Sequence, residues 1–212
     1  VKIGVIGCGA IAQVHHMPNL AELHEQFEVT VVCDLSAATA EYVAGKYHVP
    51  KYVTDYRELL DADVDAVLHC ASGYKPEPAI AAFEAGKHLF IEKPMCSSLQ
   101  EVDAIAVACE RSGKVGQVGY MKVYDPAFEY AQREVDRMED IQFIQVNHLH
   151  PNNALHLRQF DLAHFDDAPA DRIAGEQPDA VFVGHPGHGA AQVGAGTRQG
   201  QETAVVQARQ VE

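Results

Sequence analysis

Residues 2–12 read KIGVIGCGAIA, and this stretch decides the fold class because it places a glycine-rich turn between an apolar strand and a helix. The turn fits the pattern G-x-G-x-x-G/A. Its six residues are Gly7, Cys8, Gly9, Ala10, Ile11 and Ala12. In such a turn the first glycine permits a tight bend, the second lets a pyrophosphate approach the backbone, and the small sixth residue lets helix and strand pack closely. We therefore predict that these six residues bind a dinucleotide at the start of the helix, where N–H groups face phosphate. An ordinary glycine-rich strand–helix turn is the alternative.

Apolar runs of strand length alternate with helix-forming segments over roughly the first 120 residues. The predicted strands cover 2–6, 29–33, 64–69, 88–91 and 115–119, with a weaker edge strand at 51–54. Runs such as VTVVC (29–33) are almost entirely apolar, which is typical of parallel strands covered on both faces. Ser36, Asp55 and Ser98 stand where helix N-caps are expected, and Pro126 opens a further helix to about residue 138. The pattern predicts an α/β fold, a doubly wound parallel sheet of the Rossmann type.

An acidic residue follows the second predicted strand. Asp34 ends VVCD (31–34), where the ribose 2′-hydroxyl of a bound dinucleotide would lie. A carboxylate accepts hydrogen bonds from that hydroxyl and repels a 2′-phosphate, so the sequence favours NAD over NADP. A solvated acid opening a loop is the alternative.

The segment Glu92-Lys93-Pro94 follows the fifth strand, at the rim where open α/β sheets place their ligands. A lysine there, partly desolvated beside a cationic nicotinamide, could exchange a proton with a substrate hydroxyl. The proline predicts a fixed turn, for which a cis peptide bond is one geometry. A surface Glu–Lys ion pair before a turn is the alternative.

Composition narrows the class of partner. The formal net charge of −14 disfavours nucleic acid and anionic membranes, and no apolar run approaches the roughly 20 residues that span a bilayer. Five cysteines without a CxxC pair favour a reducing compartment, so we expect a cytoplasmic protein. His148, His150 and His156 are interpreted as surface residues, with a metal site as the alternative, and we predict no bound metal. His15 and His16 follow the glycine-rich turn and are expected on the surface of the first helix, with one of them facing the cofactor cleft as the alternative.

The sequence changes character after about residue 122. We interpret residues 123–183 as the start of a second, incomplete α/β domain, with one further strand predicted at 141–149. Residues 184–212 contain no aromatic residue, leucine or isoleucine, so we predict a disordered tail there. The abrupt change suggests a truncated or reading-frame-altered end.

Three motifs together resemble the glucose–fructose oxidoreductase / inositol dehydrogenase (Gfo/Idh/MocA) family. They are GCGAIA (7–12), AAFEAGKHLFIEKPM (81–95) and VGYMKVYDPAFEYA (118–131), and the resemblance covers roughly residues 1–150. It implies an NAD(P)-binding Rossmann domain, a second domain with a large open sheet, and redox chemistry at a hydroxyl or keto carbon of a sugar or polyol. By motif, Glu92 would lie near the nicotinamide ribose, Lys93 would contact substrate and assist proton transfer, and Lys122 would face the site. Family members often form homo-oligomers, so we keep that as an expectation.

Two departures from the family pattern stand out. The loop after the fourth strand usually reads Thr-Pro-x-x-x-His, whereas Cys70, Ala71 and Lys75 occupy those positions here; Cys70 and Ala71 are expected to contact the cofactor. The family's aspartate and histidine, four residues apart on a helix, have no match, since Asp161 and His164 have the wrong spacing.

The leading prediction is an NAD-dependent oxidoreductase of sugars or polyols. A non-catalytic dinucleotide-binding module and an S-adenosylmethionine enzyme are the alternatives.

Overall fold

The structure, a computed structural model, describes residues 1–139, 155, 157–169 and the backbone strands 192–198 and 201–207. The chain divides into two compact units, described separately below. The first comprises Val1–Tyr120 with Asp161–Ala180, and the second comprises Met121–Phe160 with Val181–Glu212.

A six-stranded, wholly parallel sheet forms the centre of the first unit. Its strands are β1 Lys2–Ile6, β2 Glu28–Cys33, β3 Lys51–Val53, β4 Ala66–His69, β5 His88–Ile91 and β6 Gly116–Val118. They lie in the order β3-β2-β1-β4-β5-β6. Strand order therefore reverses between β1 and β4, which is the switch point where doubly wound sheets bind ligands. The predicted fold class is confirmed, and the strand bounds differ from prediction by one or two residues.

Three of the helices connecting these strands begin at the N-caps predicted from the sequence, Ser36, Asp55 and Ser98. A π-helical turn, Ala12–His16, continues directly into α1, Met17–Glu22. The others are α2 Ala37–Tyr47, α3 Tyr56–Leu60, α4 Pro76–Glu84 and α5 Leu99–Ser112. Ser36 accepts a hydrogen bond from the Thr39 N–H at the start of α2, and Ser98 forms a reciprocal capping box with Glu101 at the start of α5.

The core lies on both faces of the sheet. On one face Val31, Val67 and Leu89 pack with side chains of α3, α4 and α5. On the other, Val5 and Val32 pack with side chains of α1 and α2. Neighbouring residues such as Val31 and Val32 thus enter opposite layers, which explains why the strands are apolar throughout rather than alternating.

The second unit contains a 3₁₀ turn, Met121–Tyr124, followed by α6, Pro126–Val135, which the Asp125 side chain caps at the Ala127 N–H. Its backbone also forms an antiparallel pair, β7 Gln192–Arg198 with β8 Gln201–Gln207. The sequence predicted a disordered tail over 184–212, whereas the backbone of 192–198 and 201–207 forms this pair, because a local antiparallel ladder is built from backbone hydrogen bonds that composition does not register. The predicted strand at 141–149 and the three histidines at 148, 150 and 156 lie outside the described residues, and the domain boundaries stay predictions.

No helix in the described part of the chain is both long and apolar enough to cross a membrane.

Candidate cofactor and active site

The glycine-rich turn packs tightly against the loop that follows β4. The Gly7 N–H donates to the Cys33 carbonyl at 2.8 Å, and Gly7 has a φ of +88°. A Cβ added at Gly7 would lie 2.3 Å from the Ala71 backbone nitrogen. Gly7 is therefore required both by its left-handed backbone and by the approach of the β4 loop.

Gly9 has a different environment. A Cβ built there would meet no atom within 4 Å, although the helix already begins at this point with the Gln13 N–H donating to the Gly9 carbonyl at 3.0 Å. The space above Gly9 is thus open toward the first N–H groups of a helix, which lack intrahelical acceptors. Open space at a helix N-terminus can accept a phosphate group, and no neighbouring atom of the described residues requires a glycine at this position.

Asp34 connects the glycine-rich turn to the next strand. Its Oδ2 accepts a hydrogen bond from the Cys8 N–H at 2.7 Å, and its Oδ1 accepts one from the Ser36 N–H at 2.9 Å. Each carboxylate oxygen retains a second lone pair that a hydroxyl could use. The carboxylate is thereby fixed next to the opening of Gly9, as expected from the sequence.

Cys70 and Ala71 begin the β4 loop, whose Ala71 packs against Gly7 of the glycine-rich turn. Their N–H groups donate to the Ile6 carbonyl at 2.7 and 3.1 Å, so the β4 loop is fixed to the end of β1. Cys70 is buried, and burial raises the pKa of its thiol, which keeps it protonated. Cys70 therefore acts as a small packed side chain in this loop.

The segment after β5 carries the predicted acid–lysine pair. The Lys93–Pro94 peptide bond is cis, in agreement with one geometry considered for this turn. Glu92 is buried, and its Oε1 lies 2.8 Å from His16 Nε2 while its Oε2 accepts a hydrogen bond from the Lys93 N–H at 3.2 Å. The Lys93 side chain is exposed. The structure thus places a buried carboxylate beside an exposed lysine at the carboxyl end of β5.

His16 was expected on the helix surface, with one of the two histidines facing the cleft as the alternative; its side chain is only partly exposed and turns toward Glu92. Besides its contact with Glu92, its ring lies edge-on to Phe90, with the two ring centroids 5.9 Å apart. Phe90 and Glu92 are two residues apart along an extended strand and so project to the same face, toward the helix that carries His16. His15, by contrast, is exposed as expected.

Lys75, at the family's histidine position, holds the turn that contains Lys93. Its ammonium donates to the Glu92 carbonyl at 2.7 Å and to the Pro94 carbonyl at 2.8 Å. The residue is almost fully buried, and this burial lowers the pKa of its ammonium. The sequence identified Lys75 only as a departure from a pattern, since nothing local indicates that a lysine points inward.

His69 is the least expected residue of this region. It ends β4, is fully buried, and neither ring nitrogen has a hydrogen-bond partner among the described residues. Burial, and next the nearby Lys75, lower its pKa to about 3, so the ring is neutral near pH 7.

Lys122 lies in the second unit, exposed in the turn Met121–Tyr124, and its predicted role stays a prediction.

In the described part of the chain no three His, Cys, Asp or Glu side chains come together as metal ligands would.

Comparison with known proteins agrees with this geometry. Residues 1–120 match the model of GFO_IDH_MocA, described as an oxidoreductase family with an NAD-binding Rossmann fold. An inositol 2-dehydrogenase of Salmonella paratyphi B is 32% identical over 156 residues, which are 72% of this chain and 46% of that protein. The chain thus spans about half the length of the curated relatives that it matches.

Solved structures show the same fold. A myo-inositol 2-dehydrogenase of Lactobacillus plantarum superimposes with a TM-score of 0.60 at 24% identity, over 75% of this chain and 48% of that one. A scyllo-inositol dehydrogenase of Lactobacillus casei, solved with bound NAD(H) and scyllo-inositol, gives a TM-score of 0.57 at 25% identity, over 65% of this chain and 41% of that one.

Proposed function

This chain belongs to the Gfo/Idh/MocA family of oxidoreductases with an NAD-binding Rossmann fold, and from that premise we propose that it takes part in hydride transfer between NAD and a polyol of the inositol class. The observation that carries the proposal is the open space above Gly9, bordered by the start of a helix and by the fixed carboxylate of Asp34. Both features follow the carboxyl ends of the adjacent strands β1 and β2, next to the switch point of the sheet, where dinucleotides bind.

Different residues of the site would bind different parts of the cofactor. Gly9, Ala10 and Ile11 present backbone to the pyrophosphate, while Asp34 accepts hydrogen bonds from the adenosine ribose. Cys8 contributes indirectly, because its N–H orients the Asp34 carboxylate. Cys70, Ala71 and Glu92 lie on the side assigned to the nicotinamide half. Nicotinamide, when bound, supplies a carbon that accepts or donates hydride.

Lys93 is the residue that we assign to proton transfer. A hydroxyl that loses hydride must also lose its proton, and an amine at the carboxyl end of β5 is a suitable partner for that proton. The surrounding residues fix the backbone of Lys93: Glu92 accepts its N–H, and Lys75 binds the carbonyls on both sides of it. Its side chain is left exposed and free to meet a substrate.

Two observations support a polyol substrate. Several of the relatives that match this chain over most of its length are named inositol dehydrogenases, and one solved relative holds scyllo-inositol. This chain spans less than half of those relatives, so the proposal stops at the class of substrate. Lys122 remains a candidate for substrate contact by family resemblance.

The test begins with the purified chain and two titrations. NADH binding is followed by fluorescence, and NAD reduction is then measured with myo-inositol, scyllo-inositol and glucose as substrates. We expect saturable NADH binding and turnover with at least one inositol. Lys93→Gln should retain NADH binding and lose about 100-fold or more in kcat/KM, the usual contribution of a general acid or base.

Lys51→Gln is the matched control, since Lys51 is exposed at the opposite, amino-terminal end of the edge strand β3. It should leave both binding and turnover unchanged. NADH binding without turnover on any polyol would assign this chain to the other class considered, a dinucleotide-binding module. Failure to bind NADH together with tight binding of S-adenosylmethionine would overturn the proposal altogether.

A further inference from the structure

A segment distant in sequence crosses the adenosine end of the proposed cofactor site. We call residues 163–167 the strap; they belong to the same compact unit as the Rossmann sheet. At one end, the Ala163 N–H donates to Gln13 Oε1 at 3.0 Å, and Gln13 Nε2 donates to the Ala163 carbonyl at 3.0 Å. Gln13 Nε2 also donates to the Cys8 carbonyl at 2.8 Å, so the strap is attached to the glycine-rich turn itself.

The other end of the strap is attached at the start of α2. The Asp167 carboxylate accepts a hydrogen bond from the Ala38 N–H at 3.0 Å and another from the Ser36 hydroxyl. Between the two attachments Phe165 faces Tyr42, with ring centroids 6.2 Å apart. The hydrogen bonds from Ser36, and next from Ala38, hold the pKa of Asp167 below its usual range.

One serine connects the two carboxylates of this region. The Ser36 N–H donates to Asp34, the proposed ribose ligand, while the Ser36 hydroxyl donates to Asp167. A group attached to the ribose 2′-oxygen beside Asp34 would therefore extend toward the Ser36 hydroxyl and the first N–H groups of α2. A hydroxyl together with helix N-terminal N–H groups is a typical phosphate ligand set, and here a carboxylate already uses it.

We propose that Asp167 is a second determinant of cofactor choice: its carboxylate occupies the anion position that the 2′-phosphate of NADP would need. This inference rests on the proposed function, because it concerns the same bound dinucleotide. Asp34 and Asp167 together present two negative charges to a 2′-phosphate. Residues 35–38 (Leu-Ser-Ala-Ala) supply no cation to offset them. Discrimination against NADP thus comes from an occupied site as well as from repulsion by Asp34.

The test compares NADH and NADPH affinity in the wild-type chain and three variants at low ionic strength. Asp167→Asn removes the charge and keeps an oxygen that can accept from Ser36. It should raise NADPH affinity about tenfold and change NADH affinity less than twofold, because only NADPH carries the phosphate. Asp166→Asn is the matched control, since Asp166 is almost fully exposed and pairs with His164 rather than with α2. Asp167→Ala provides a second removal of the charge, and circular dichroism checks that all variants are folded.

The outcomes separate the two proposals. A selective gain in NADPH affinity that Asp166→Asn does not reproduce, and that shrinks as salt rises, supports the inference. Equal gains for NADH and NADPH would overturn it, because the strap would then compete with the whole adenosine. No gain in NADPH affinity, with NADH binding intact, would also overturn the inference, while the proposed function would stand. If the wild-type chain bound no NADH, the proposed function would fail and this inference with it.

Discussion

Gly7 and Gly9 lie two residues apart in one turn, and the structure predicts opposite consequences when each is replaced by alanine. At Gly7 an alanine would adopt a left-handed φ, which costs about 1–2 kcal/mol. Its Cβ would also lie 2.3 Å from the Ala71 nitrogen, and relieving such an overlap by moving backbone costs roughly 1–3 kcal/mol more. We expect Gly7→Ala to lower the free energy of unfolding by about 3 kcal/mol, or the melting temperature by roughly 6–12 °C for a chain of this size.

Gly9→Ala should lower the free energy of unfolding by only about 1 kcal/mol, because its Cβ would enter open space and the cost is limited to the preference of a helix N-cap for glycine over alanine. NADH affinity should nevertheless fall at least tenfold, since the methyl group would occupy the place proposed for pyrophosphate. Urea denaturation and NADH fluorescence titration on both variants measure the two quantities. Equal destabilisation by both substitutions, or unchanged NADH affinity in a folded Gly9→Ala protein, would refute the reasoning.

Three further predictions concern buried and capping residues. Lys75→Met should lower the free energy of unfolding by about 2–4 kcal/mol, because the Glu92 and Pro94 carbonyls lose a charged donor. Urea denaturation measures this change, and an unchanged midpoint would contradict a stabilising role for these two hydrogen bonds. His69 has a pKa of about 3 in the folded chain, below its value in the unfolded chain. Between about pH 6.5 and pH 3 the unfolded chain therefore binds one more proton than the folded chain. The free energy of unfolding falls as the pH drops through this range, by roughly 1.4 kcal/mol per pH unit. His69→Leu should flatten that part of the stability–pH profile, and an identical slope in both proteins would count against it. Ser98→Ala should cost about 1 kcal/mol through loss of the capping box, measured by thermal melts, and no loss would show that the cap is dispensable.

The sequence was sufficient for the parts of this fold that depend on local patterns. The parallel sheet followed from apolar runs separated by helix caps, and Ser36, Asp55 and Ser98 all cap helices where expected. The glycine-rich turn and Asp34 came together as predicted because the fold brings the ends of β1 and β2 side by side. These features are local or follow directly from strand order.

The parts that sequence reasoning missed depend on contacts between distant residues. The hydrogen bond between Ser36 and Asp167 joins residues 131 positions apart, and nothing near either residue indicates the other. Lys75 was visible as a replacement of a family histidine, but a lysine is usually exposed, so its buried position required the turn after β5 to be seen. His16 was misplaced because helical periodicity alone does not show which strand residues face it.

NAD binding at the carboxyl ends of β1 and β2 is tested most directly by backbone amide shifts in the ¹⁵N-labelled chain. On titration with NAD, the amides of the glycine-rich turn (7–12), of Asp34 and of the segment 92–93 should shift together and saturate with one affinity. Saturable shifts only at other amides, or no saturable shift at millimolar NAD, would contradict NAD binding at this site.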